Sequence, residues 1–385
     1  MSRTQKVILF ILSIGVICMC ALVAGSAYQL WQKPLGPVLQ LPTNTFAPFS
    51  TFPPTWTVLA GENNSPVNIG TAPAPMATAS PPAPLCGGPT EMTILAIGSS
   101  HRVDSYLYGL ADVIRLVRVD FVNANVMIMS LPRDLYVEIP DISDHDGITH
   151  GKLNQPYFYG NPGMGYYDGP GEGPGLMART LAYNFGAQPD HYIAINMAIF
   201  IKIVDAVGGI TVDLPQAVDA RYVENPENQR NIVFPAGINY LNGNNALLLA
   251  RLRPSGVFDR VKAQNQVLCG LYDKLVSSSV VGDIPGIINA FKDNVQTDLS
   301  PEEISQLSCL GTQLKGSDIV FLNWPEDLFV GTRVDDPVLE RTFIWDVDFI
   351  LMREYVDAFA RGDWPAAEQA ASSGTAGFTP KSFCD

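Results

Sequence analysis

Two segments end apolar runs with arginine: Leu131-Pro132-Arg133-Asp134 and Ala250-Arg251-Leu252-Arg253. A guanidinium stays charged at any ordinary pH and offers a rigid fork of donors. Placed against apolar structure, it requires a carboxylate or phosphate that it can grip with paired hydrogen bonds. Arg133 follows a proline that closes a strand, so its side chain leaves a sheet edge where a cleft can form; the competing reading is a structural bridge to Asp134 or Glu138. Arg251 and Arg253 straddle a helix end, where any cation is welcome beside unsatisfied carbonyls. Two arginines exceed what a cap requires. Arg260 and Gln264, four apart on the next helix, either extend a polar lining or form an ordinary exposed face.

Asp112 stands just ahead of an apolar strand and is a candidate magnesium ligand, because magnesium commonly takes one or two carboxylates plus substrate phosphate oxygens. Asp104 is the nearest second carboxylate, though a loop aspartate reads more simply as a solvated turn residue. Asp141, Asp144 and Asp146 have calcium-like spacing without the remaining ligands, and read as solvent-facing. The glycine-rich stretch from Gly160 to Gly175 opens a helix but lacks the Gly-Lys-Ser/Thr ending of a nucleotide loop, so it is expected to be a flap beside the cleft.

The elements that must position these groups alternate between strand and helix. Runs at 92–98, 113–120 and 126–131 read as neighbouring strands, the last two joined by a link short enough for an antiparallel hairpin. Helical spacing follows at 175–185 and 197–207 around a short strand at 191–195, and a strand begins at Ile210. Asn242 caps a helix that Pro254 closes, and a helix with an apolar stripe spans 260–276. Helices near 284–292, 301–314 and 345–361 and a strand at 319–323 are expected to form a C-terminal extension, 281–385, packed on the same core.

The 385-residue chain carries a formal charge of −14, with 47% hydrophobic and 16% charged residues. Such a composition supports a large core, and its acidity argues for no nucleic acid partner, since duplex binding needs a broad basic surface. From Val7 to Leu30 there is no charge, a run long enough to span a bilayer, with Arg3 and Lys6 before it. The expectation is a cell-membrane protein, single-pass, with residues 1–33 as cytoplasmic N-terminus and anchor and the body extracytoplasmic; a cleaved signal is the rival reading. Residues 34–90, dense in Pro, Thr and Ala, read as a spacer that holds the body off the bilayer. Four cysteines fall outside the apolar segment, and in an oxidising compartment they suggest two disulfides, with three pairings open. The pairing expected is Cys86–Cys384 with Cys269–Cys309, against buried free thiols.

Several separated motifs then agree in order and spacing: Ile97-Gly98-Ser99-Ser100-His101-Arg102, Ala111-Asp112-Val113-Ile114, Ser130-Leu131-Pro132-Arg133-Asp134, Gly151-Lys152-Leu153-Asn154, Val204-Asp205-Ala206-Val207-Gly208-Gly209-Ile210 and Ala246 to Arg253. With them, residues 91–280 resemble the LytR-CpsA-Psr family, also called the cell envelope-related transcriptional attenuator domain. The resemblance implies an α/β/α sandwich with a mixed central sheet and an apolar tunnel for a polyprenyl tail. It also implies arginines and magnesium around a lipid pyrophosphate, and transfer of a glycopolymer, as a sugar phosphate, from that carrier to a hydroxyl on peptidoglycan or another wall acceptor. Carried onto this chain, Arg133, Asp134, Arg251 and Arg253 are the catalytic candidates, with Asp134 as proton acceptor. Arg102, Arg118, Lys152, Arg260 and Gln264 are substrate-binding candidates, and Asp112 and Ser100 hold the metal. The chain departs from the family pattern at Ser100, where an aspartate is usual, and at Leu110, Val257 and Ala263. Those departures keep open a second reading, a non-catalytic binder of the lipid carrier. Transcriptional control fits poorly with an acidic exported body.

Overall fold

The computed structural model describes residues 25–26, 28–42, 82–100, 109–220, 232–252, 257–276, 295–322, 324–325, 328–336, 338–363 and 381–382. The three apolar runs become β1 (Glu91–Ser99), β2 (Ala111–Asp120) and β3 (Asn125–Ser130). They form an antiparallel meander because the β2–β3 link is a tight turn, in which the Asp120 carboxylate accepts from the N–H groups of Val122 and Asn123 at 2.8 and 2.9 Å. Two short strands, β4 (Tyr136–Glu138) and β5 (His150–Lys152), pair with each other, and α1 (Gln155–Tyr159) and α2 (Glu172–Phe185) follow. Then come β6 (His191–Asn196), α3 (Met197–Ala206), β7 (Ile210–Leu214), β8 (Val218–Asp219), β9 (Val233–Phe234) and β10 (Gly237–Leu241). After them run α4 (Gly243–Arg251), α5 (Val257–Leu275), β11 (Gln296–Thr297), α6 (Pro301–Gly311), β12 (Ile319–Leu322), the hairpin β13 (Phe329–Asp336) and β14 (Glu340–Val347), α7 (Phe349–Ala360) and β15 (Lys381–Ser382).

The central sheet is mixed, in the order β11-β6-β1-β2-β3-β12-β15, with β6 parallel to β1 and β12 parallel to β3. Strand alternation sends its side chains to two cores. On one face Leu95, Ile97, Ile114, Leu116, Met127 and Met129 pack with Leu181 and Phe185 of α2 and Met352 and Phe359 of α7. On the other, Met92, Ile94, Val119, Val126, Ile319 and Phe321 pack with Cys269 of α5 and Leu310 of α6. Helices therefore cover both faces, as the alternating pattern implies.

The C-terminal region is more than an added layer: β11 and β12 are strands of the central sheet itself. The helix expected from residue 345 starts at Phe349, capped by Asp348, because Trp345 lies in β14. The helix expected at 284–292 lies outside the described residues. Part of the spacer also sits on the body: the Leu35 N–H bonds to Leu299 O at 3.2 Å, the Leu39 N–H bonds to the Asp298 carboxylate at 3.2 Å, and Leu39 and Leu41 pack on the first core. Burial of those two leucines outweighs the solvated, extended state that composition suggests.

Cys86 bonds to Cys309, with Cα atoms 5.9 Å apart, so neither expected pairing stands. The reason is topological. Cys86 enters β1 on the α6 side of the sheet, where it joins Leu310 and Phe121 in the same core. Cys269 is disulfide-bonded as well, to a residue outside the described set. The membrane-length apolar segment falls almost wholly outside the described residues. Among those described, no helix is long and apolar enough to cross a membrane.

Candidate functional site

A cavity of about 700 Å³ lies between the sheet and helices α3, α4 and α5. Its mouth is at the end of the sheet where the parallel strands β1 and β6 finish, at Ser99 and Asn196, and where β2 begins. The carboxyl ends of parallel strands are where open α/β sheets bind ligands. Each wall has a sequence reason. Asn196 ends β6 and caps α3 by accepting the Ile199 N–H at 2.9 Å. Asn242 caps α4 through the Asn245 N–H at 3.0 Å, and the helical repeat then puts Leu247, Ala250 and Arg251 on the cavity side. Along α5 the same repeat aligns Arg260, Gln264, Val267 and Leu268.

Arg133 stands at the mouth between two carboxylates. Its Nη1 contacts Asp112 Oδ1 and its Nε donates to Asp134 Oδ2 at 3.2 Å. Lys152 Nζ reaches the other Asp134 oxygen at 3.1 Å. Burial opposes the charge on Arg133, but the two acids outweigh it and raise the guanidinium pKa above its ordinary value. Burial likewise works against ionised Asp134, yet Arg133 and Lys152 prevail and hold that carboxyl below the usual range. Asp134 is thus shared between Arg133 and Lys152, one carboxylate oxygen to each. Arg260 donates from Nη2 to the Asp112 carbonyl at 2.9 Å, and Gln264 Nε2 donates to Ala250 O at 3.3 Å. Arg251 lines the same cavity and, among the described residues, forms no ion pair.

The structure thus brings together Asp112, Arg133, Arg251, Arg260 and Gln264, with Asp134 and Lys152 behind them. Arg118 is elsewhere: it points to the opposite face of the sheet, pairs with Glu91 and donates to Ala360 O at 3.1 Å, so it does not bind substrate in this cavity. Arg102 and Arg253 lie outside the described residues. The Ser100 hydroxyl accepts the Leu110 N–H at 3.0 Å, and Ser100 does not line the cavity. The glycine-rich stretch forms no flap over the mouth. It packs around α1, and a Cβ on Gly173 would come within 2.6 Å of Tyr157 O.

Among the described residues, the donor set does not form a preformed magnesium site. Of these residues, Asp112, the carboxylate that lines the cavity, is paired with Arg133, and the Ser100 hydroxyl accepts a backbone N–H. No group of three or more His, Cys, Asp or Glu residues suited to a metal occurs among the described residues. Sequence reasoning missed one residue of the site: Arg115, in the middle of β2, lines the cavity wall. Its signal was a basic residue flanked by apolar ones, Val113-Ile114 before it and Leu116-Val117 after it.

Fold and site together define a mixed α/β domain that presents cations at the mouth of an apolar cavity. The model of the LytR_cpsA_psr family matches residues 87–338, and the chain belongs to that family. The match extends past the 91–280 segment expected from motifs and takes in β11 and β12 of the central sheet. The regulatory protein MsrR of Staphylococcus aureus is 28% identical over 218 residues, covering 56% of this chain and 59% of its own length. A protein of Enterococcus faecalis named polyisoprenyl-teichoic acid–peptidoglycan teichoic acid transferase TagU is 29% identical over 263 residues, 66% of this chain and 77% of that one. The crystal structure of Bacillus subtilis TagV has a TM-score of 0.54 at 24% identity, covering 72% of this chain and 99% of TagV, a likeness of fold.

Proposed function

We propose that this chain is a membrane-anchored, extracytoplasmic phosphotransferase. It moves a glycopolymer, as a sugar phosphate, from a polyprenyl-pyrophosphate carrier to a hydroxyl of peptidoglycan or another wall acceptor. The observation that carries the reading is the gathering of Arg133, Arg251 and Arg260 around Asp112 at the mouth of a largely apolar cavity. An anion with a long apolar tail matches both parts of that site. The name of the Enterococcus relative supports the substrate class, and the Cys86–Cys309 bridge supports an oxidising, exported setting.

In this reading the arginines hold the diphosphate with charge-assisted hydrogen bonds, and Asp112 and Asp134 keep Arg133 aimed before substrate arrives. The acceptor hydroxyl attacks the sugar-bearing phosphorus. A new P–O bond forms as the bond to the bridging oxygen breaks, polyprenyl phosphate departs, and that phosphate takes the hydroxyl proton. Catalysis is then positioning and charge stabilisation, as in other phosphoryl transfers. Magnesium, which the family resemblance implies, has no preformed seat among these residues and no step is assigned to it.

That thin metal donor set favours one alternative, a binder of the lipid carrier without turnover. Incubation with a polyprenyl-pyrophosphoryl oligosaccharide and wall acceptor, with and without magnesium, separates the two. Transfer supports the enzyme, whereas retained lipid binding with no transfer under either condition removes it. A Ser100→Asp variant that gains transfer would place the deficit in the metal site.

A further inference from the structure

A second opening, of about 520 Å³, lies in the other helical layer, between α2, the β4–β5 pair and the start of α7. The β4–β5 register puts one of its walls on a single face. Tyr136 and Glu138 are alternate residues of β4, and His150 stands opposite Glu138. The Tyr136 and His150 rings lie 5.9 Å apart and nearly parallel, at 22°. From α2, Tyr183 keeps its ring 49% exposed while its hydroxyl donates to Glu138 Oε1 at 3.0 Å. The framework behind these groups is fixed. Asn184 accepts the Glu138 N–H at 3.1 Å and donates to Glu138 O at 2.7 Å, and Arg353 Nε donates to Asn184 O at 2.7 Å. A cleft so held needs little reordering to bind.

The lining says what kind of ligand. Among the described lining residues, the carboxylates of Glu138 and Asp346 offset the guanidiniums of Arg179 and Arg353. The cavity on the other face of the sheet is cationic by contrast, with Arg115, Arg133, Arg251 and Arg260 against Asp112. An anion is drawn to that cavity, and the cleft suits an uncharged ligand. Flat aromatic surface beside carboxylates and guanidiniums matches a sugar, whose ring has an apolar C–H face and a rim of hydroxyls that both donate and accept. A purely apolar ligand would strip water from the charged groups and return nothing. The Tyr183 hydroxyl takes one of the roughly four lone-pair sites of the Glu138 carboxylate, so acceptor capacity remains for sugar hydroxyls.

The cleft also ends close to the mouth of the cavity. Tyr136 pairs with Lys152, whose Nζ holds Asp134, and the Asp134 carbonyl accepts the N–H of Trp345, the neighbour of Asp346. From Tyr136 to Arg133 is at most about 11 Å of chain. We propose that this cleft binds an uncharged stretch of the glycan acceptor, with sugar rings against Tyr183 and Tyr136 and hydroxyls on Glu138 and Asp346, so that the bound chain leads toward Arg133. Its role as acceptor site rests on the transfer reading above; saccharide binding does not.

The test titrates the full chain with chitohexaose, a neutral oligomer of N-acetylglucosamine, by calorimetry and ligand-observed NMR, and compares Tyr183→Ala, Tyr183→Phe and Asp346→Asn. Tyr183→Ala and Asp346→Asn should each weaken chitohexaose binding about three- to tenfold, the worth of one aromatic face or one charge-assisted contact near the surface. Tyr183→Phe, which keeps the ring, should retain most of the affinity. Farnesyl diphosphate affinity should stay within about twofold in all three, because the cavity lies on the other face of the sheet. In the transfer assay, Tyr183→Ala should raise the acceptor KM by the factor seen in binding and leave the donor KM unchanged. The site is overturned if the parent does not bind chitohexaose, if Tyr183→Ala and Asp346→Asn both bind it like the parent, or if Tyr183→Phe loses as much as Tyr183→Ala. Chitohexaose bound as expected, with the parent's acceptor KM in Tyr183→Ala, removes the acceptor role alone. Chitohexaose bound as expected with no transfer by the parent removes the phosphotransferase reading and upholds the cleft.

Discussion

Replacing Arg133 with methionine keeps most of the side-chain volume and removes the charge between Asp112 and Asp134. Arg133 is 20% exposed and faces side chains 23% and 10% exposed, so its pairs are poorly screened by solvent. Breaking a buried pair by deleting one partner costs about 3 to 5 kcal/mol. Lys152 remains on Asp134, which places the expected loss at the lower end, about 3 kcal/mol at pH 7. For a body of this size each kcal/mol shifts Tm by roughly 2 to 4 °C, so melting should fall by about 6 to 12 °C. The pH dependence identifies the cause. Asp134 has a folded pKa below its unfolded value, so its ionic stabilisation is present above about pH 4, the unfolded pKa, and is lost as pH falls through the lower folded value. Calorimetric scans of parent and variant should therefore differ by a constant amount from pH 7 to about pH 4.5 and converge below that range. A gap that persists unchanged in acid would show that the loss is one of packing, and no gap at pH 7 would refute the paired geometry itself.

Arg118→Met should lower stability through loss of the Glu91 pair and the Ala360 contact while leaving lipid diphosphate affinity within about twofold; a binding defect measured by calorimetry would return Arg118 to the site. Reduction of the Cys86–Cys309 bridge, or a Cys86→Ser/Cys309→Ser pair, opens a link across 223 residues. Chain entropy sets a ceiling of about 5 kcal/mol on that loss, read by denaturant titration. Gly36→Ala would put a Cβ 2.6 Å from the Thr297 carbonyl oxygen. It should release residues 33–42 and raise proteolysis there several-fold, with the core melting temperature little changed.

The sheet was legible from sequence where a strand is apolar on both faces. Residues 92–98, 113–120 and 126–131 announced β1 to β3, helical spacing announced α3, and the capping residue Asn242 announced α4. The β13–β14 hairpin was not: with Val330, Arg333 and Glu340 exposed and little of it buried, it carries no clear alternation. Motifs found the mouth of the site because proline and helix ends fix where Arg133 and Arg251 leave their elements.

By itself, the sequence determined that arginines would need an anion, that strands and helices would alternate, and which family the motifs belong to. Only the tertiary structure decided which partner each charged group meets. Arg115 and Arg118 are three apart on one strand, an odd spacing that sends them to opposite faces, and composition cannot say which face opens on a cavity. The choice between Cys309 and Cys384 for Cys86, and the docking of Leu39 and Leu41 on the body, depend on contacts across more than a hundred residues. Local pattern sets the direction of a side chain, and the packing of distant elements sets what it finds there.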